Sequence, residues 1–147
     1  METGNLIIDA QTAFARQRRR RRRERTAAWL RGRSERVSLA SLDDAFGSAT
    51  PSVGRRARLQ PIPLASVVGT AEPTKARAFD HRFRAPESSR RRWERLWIAS
   101  RRGASLPPIS VFRVREQHFV DDGHHRVSVA NALGMTAIDA EVTELLT

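Results

Sequence analysis

His118-Phe119-Val120-Asp121-Asp122-Gly123-His124-His125-Arg126-Val127-Ser128-Val129-Ala130-Asn131-Ala132-Leu133-Gly134 reads as the end of an apolar strand, two carboxylates, a glycine turn and a helix stopped by Gly134. The helix carries two histidines and an arginine in its first turn. The first N–H groups of a helix lack partners within it and point outward with the positive end of the helix dipole, so the turn suits a polyanion. Gly123 would allow close approach to the backbone, Arg126 would add a bidentate fork, and Asp122 is the expected N-cap. Asp121 or Asp122 could serve as the internal partner of Arg126. His124 and His125 are adjacent and project about 100° apart, which argues against a shared metal ion and for a structural role of at least one ring. Ser128 has no evident base to activate it.

Working outward, residues 109–114 and 118–121 alternate as two strands joined at Arg115-Glu116-Gln117. Ile138, Ala140 and Val142 alternate with polar residues in a final strand. Upstream, Ser88 or Ser89 opens a helix running to Arg102, with Trp93, Leu96 and Trp97 on one apolar face. Leu59 to Val68 suggests a first strand, which Pro61 and Pro63 confine to a sheet edge. Between them, Gly69 to Pro86 shows little periodicity and reads as a long loop carrying Arg77. The sum is a small α+β domain over residues 57–147.

The front of the chain differs in kind. The net charge is +11, yet residues 1–104 hold 24 basic against 10 acidic residues while residues 105–147 hold 3 against 6. Arg16, Arg18, Arg19, Arg20, Arg21, Arg22, Arg23 and Arg25 crowd the centre of a helix-prone stretch from Leu6 to Arg33. Consecutive arginines would cover every helix face, so this turn is expected to stay off any core. Residues 1–56 then form a basic helical or disordered arm plus linker, with DNA as the expected partner and RNA or an acidic protein as alternatives. With no cysteine, disulfides and thiolate chemistry are excluded. No apolar run is long enough for a bilayer and no secretory signal is visible, so a cytoplasmic location without a membrane partner is expected.

Asp122-Gly123-His124-His125-Arg126, followed by Val-Ser-Val-Ala and Leu-Gly, resembles the Gly-x-x-Arg box of the ParB N-terminal domain family, of the ParB/sulfiredoxin fold. Leu106-Pro107-Pro108-Ile109-Ser110-Val111 is similar to that family's strand before the box, and residues 138–142 to its closing strand. The resemblance spans roughly residues 57–147 and implies a nucleoside triphosphate, CTP or ATP, held by Gly123, His124, His125, Arg126 and Asp122, with Arg77 resembling an arginine of the opening box. Taken with the arginine arm, it suggests a stand-alone nucleotide-binding module, without the helix-turn-helix domain of ParB, that associates with DNA through that arm and is related to bacterial chromosome or plasmid partition. Sulfiredoxins carry a reactive cysteine in this turn; His124 stands at that position, which excludes their repair chemistry. Two other readings are an adaptor with a degenerate fold that binds RNA or an acidic protein, and a small phosphotransferase or NTPase in which Asp121, Asp122 or Glu141 helps to hold Mg²⁺.

Overall fold

A computed structural model describes residues 3–33, 38–47 and 49–146. The elements in order are α1 (Leu6–Leu30), β1 (Ala40–Ser41), α2 (Leu42–Phe46), β2 (Ser52–Pro63), β3 (Val67–Thr70), α3 (Pro73–Ala78), α4 (Arg90–Arg101), β4 (Ile109–Val114), β5 (Gln117–Asp122), α5 (His124–Ala132) and β6 (Ala137–Leu146). The strands form one mixed sheet in the order β1-β3-β5-β4-β6-β2. The class is α+β, as the alternation of the strands predicts.

The sheet is built around the β4–β5 hairpin. Arg115 takes a positive φ of 57° at its turn, and the two strands pair antiparallel from Val114↔Gln117 to Ser110↔Asp122. The chain then crosses through α5 and returns as β6, parallel to β4, with Ile109 opposite Ala140 and Val111 opposite Val142. All four side chains are buried, and a one-residue slip would turn every one of them out of the core. On the far edge, β2 pairs only with β6, and Ile62 is its one buried residue. Pro61 and Pro63 lie on this edge strand, where a missing N–H breaks no inner ladder. The boundary expected at Arg56 falls inside β2.

The expected loop from Gly69 to Pro86 is instead partly ordered as the end of β3 and the short helix α3. Pro73 occupies the first turn of α3, where its lack of an N–H costs nothing. The preceding Thr70 hydroxyl accepts from the Glu72 N–H at 2.9 Å, a local turn that periodicity does not reveal.

Trp93 and Trp97 are buried on α4, and the Trp93 indole N–H donates to Ser128 Oγ of α5 at 2.8 Å. Helix α1 lies against the same surface. Phe14 meets Trp93 edge-on at 5.4 Å between ring centroids, and the Arg90 guanidinium covers the Phe14 ring at 4.6 Å. The expectation that the arginine turn could not pack is therefore overturned. Ala10, Phe14, Gln17, Arg21 and Ala28 form a buried stripe along α1. Gln17 donates to Ala85 O at 3.3 Å and accepts from Ala85 N at 2.8 Å, while Arg21 donates to Arg84 O at 3.1 Å. The long guanidinium reaches a backbone carbonyl and buries its methylenes on the way, so one of eight arginines can face inward. Ala10 and Phe14 belong to the same core as Val111, Val120 and Val142. At its far end α1 leaves Trp29 and Leu30 exposed.

Candidate phosphate-binding turn and arginine face

Gly123, with φ 113°, joins β5 to α5. A Cβ at this position would run into the Ile109 side chain, so the absent side chain serves strand packing. Asp122 does not cap the helix: Gly123 is the N-cap residue and no side chain caps it. The Asp122 carboxylate is exposed and accepts from Arg126 at 3.0 Å. The other arm of the Arg126 fork donates to Pro107 O at 2.6 Å and Pro108 O at 2.8 Å. Arg126 thereby holds the Leu106–Pro108 segment against α5, a satisfied arrangement for a guanidinium whose side chain is only 15% exposed.

The two histidines diverge, as adjacent helix positions must. His124 is buried, shares a hydrogen bond with Thr70 Oγ1 at 2.7 Å and packs near Phe79 and Phe83. His125 shares one with Ser89 Oγ at 2.7 Å and meets the edge of Phe79 at 5.1 Å. Ser89, expected as a possible helix cap, thus spends its hydroxyl on α5 instead. Burial, followed by the charges of Lys75 and His125, lowers the His124 pKa to about 4. Burial, followed by Arg92 and Lys75, does the same to His125. Both rings are neutral at pH 7.

A pH dependence follows. The unfolded chain protonates these imidazoles near pH 6.5, the folded chain only near pH 4, so the unfolded state binds more protons in between and stability falls as pH drops through that window. The loss for His124 alone reaches about 2 kcal/mol at pH 5. Urea midpoints at pH 7, 6 and 5 should decline, and His124→Gln should flatten the decline. Identical midpoints at pH 7 and pH 5 would contradict the assignment.

Around this turn the structure adds two cations that the sequence pattern did not single out: Lys75 on α3 and Arg92 on α4 act electrostatically on the histidines. Lys75 is the chain's sole lysine, which was the one available signal. Arg77 lies exposed on α3, two residues beyond Lys75. Asp121 and Asp122 are successive strand residues and point to opposite faces. Among the described residues no group of three or more histidine, cysteine or carboxylate side chains is placed to hold a metal ion.

The arginine run resolves into distinct positions. Arg16, Arg19, Arg20, Arg22, Arg23 and Arg25 are exposed, Arg18 is half-buried 3.6 Å from Glu87, and Arg21 is inside. On α4, Arg91, Arg92 and Arg95 are exposed as well. Asp9 at the start of α1 feels Arg101 at the end of α4, and Arg18 reaches Glu87 just before α4, so the helices run antiparallel. Their outer surfaces together present a basic face. No described helix is long and apolar enough to cross a membrane.

No protein-family model and no curated protein matches the chain. Among solved structures it is similar to sulfiredoxin from Arabidopsis thaliana, with 17% identity, a TM-score of 0.45 and coverage of 59% of this chain and 85% of that one.

Proposed function

We propose that this protein binds DNA through the arginine face of α1 and α4 and takes a nucleoside triphosphate at the N-terminal turn of α5. The observation that carries the first part is the anchoring of α1: its arginines project from a helix whose other side is core. A fixed array pays less ordering entropy on binding than a loose tail. Arg16 to Arg25 spans about 13 Å at 1.5 Å per residue, a length over which a duplex presents about eight phosphate charges. The test is fluorescence anisotropy of the full chain with a labelled 20-base-pair duplex over a salt series. A plot of log affinity against log salt with a slope of about −4 or steeper supports the reading. A slope shallower than about −1, or a strong preference for single-stranded RNA at every salt, overturns it in favour of the adaptor reading.

The second part rests on Lys75 and Arg92, which reinforce the positive end of α5 beside two neutral imidazoles. The Arg126 fork acts here as a support, since its donors serve Pro107, Pro108 and Asp122. Titration calorimetry of the full chain with CTP and with ATP should give saturable binding of at least one of them, weakened tenfold or more by Lys75→Ala. Equal affinity in that variant removes the turn as a nucleotide site.

A further inference from the structure

A cleft of about 610 Å³ lies between α1, the far end of α5 and the segments around Leu64 and Arg82. It is separate from the α5 N-terminal turn: its α5 wall is Ser128, Asn131 and Ala132, and none of His124, His125 or Arg126 lines it. From α1 come Arg16 and Arg20, and across from them stands Arg82. None of these three guanidiniums is paired with a carboxylate among the described residues, and no described carboxylate lines the cleft. The other basic groups there are neutralised, since Arg84 and His81 each lie 3.0 Å from Glu24. Ala65, Val68 and Ala132 supply the accessible apolar surface of the cleft, backed by the buried Leu64 and Phe83.

The segment that delivers Arg82 is built under strain. Phe83, buried and bulky, has a φ of 57°, a region that such residues rarely enter. It is held there by the Asp80 carboxylate, which accepts from Arg82 N at 3.0 Å and Arg84 N at 2.8 Å, and by Phe83 N donating to Asp80 O at 2.9 Å. Asn131 on α5 donates to Arg82 O at 3.3 Å. Strain maintained by this many contacts is characteristic of positions that place a side chain for binding.

We infer that this cleft binds a phosphorylated small molecule with a flat apolar part, of nucleotide size. The volume lies within the range of small-molecule sites, about 300–1,000 Å³. Uncompensated guanidiniums with bidentate geometry select phosphate groups. The orientation is fixed as well. The C-terminal end of α5 carries partial negative charge, so the phosphates lie toward Arg16, Arg20 and Arg82, and the apolar part lies on Ala65, Val68 and Ala132. A ligand so placed touches α1 and the sheet domain at once, and so couples the arginine face to the body of the protein.

The experiment uses the full chain with ATP and, as a phosphate-only probe, tripolyphosphate. Ala132→Trp adds bulk at an exposed lining position without changing charge, and Ala65→Trp does so from another wall. Measured in a Lys75→Ala background, which takes the α5 turn out of the titration, both should weaken ATP binding at least tenfold, as should Arg82→Ala, while circular dichroism stays unchanged. In that background, ATP binding that is absent before the tryptophans are added, or that survives both of them, overturns the proposal. Tripolyphosphate binding as tightly as ATP, in the wild type and both tryptophan variants alike, overturns it too, because adsorption to surface arginines would then account for everything.

Discussion

Gly123→Ala is expected to destabilise the fold by about 2–6 kcal/mol. Two independent costs add. The residue sits at φ 113°, where an L side chain is strained by about 1–3 kcal/mol. The new Cβ would also lie 2.8 Å from Ile109 Cβ and closer still to its Cγ2, and Ile109 is itself fully buried in β4. Overpacking of that kind costs about 1–3 kcal/mol. The two contributions can be separated by urea unfolding. Gly123→Asn tolerates positive φ better than alanine but brings the same Cβ, so equal losses for Ala and Asn identify the collision as dominant. In a double-mutant cycle, Ile109→Ala removes the Cγ2 that the new Cβ meets most closely and should make Gly123→Ala less costly than in the wild-type background. Additive losses would show that Ile109 is not the obstacle.

Substituting Arg19, Arg22 and Arg23 together with alanine is expected to weaken DNA binding a few hundredfold at 0.1 M salt. Each lost phosphate contact removes about 0.9 from the log–log salt slope, so the slope should become shallower by about 2.7. These three positions are exposed and do not line the cleft beside α1, so the effect on a small-molecule ligand should be small. Alanine is the best helix former, so thermal stability should hold or rise. Arg21→Ala makes the contrast: its guanidinium is buried against Arg84 O, and its loss should lower stability while leaving the salt slope intact. An unchanged slope in the triple variant would sink the DNA reading.

Much of the sheet was legible because period-two alternation and turn residues are local signals. Strands 109–114 and 118–121 fell within a residue of β4 and β5, the tryptophan stripe of α4 was buried, and the prolines marked an edge strand. The buried stripe of α1 was hidden because Gln17 and Arg21 occupy inner positions, and polar residues carry no hydrophobic signature. The roles within the turn were hidden for a different reason. Ile109 against Gly123, Ser89 against His125 and the proline carbonyls on Arg126 are meetings across the fold between residues whose types were visible but whose juxtaposition was not. Asp122 illustrates the limit: a carboxylate before a helix fits both a cap and an ion-pair partner, and only the side-chain direction separates them.

The seating of α1 also sets an order of events during synthesis. Gln17 is bonded to Ala85, 68 residues further along the chain. At roughly 5–20 residues per second, α1 leaves the ribosome roughly 3–14 seconds before the backbone it docks on. For that interval Ala10 and Phe14 have no core to enter, and the arginines beside them are already presented to any polyanion nearby. Any polyanion that reached the arginines in that interval would meet them before the chain has a fold, and docking of α1 would then compete with it.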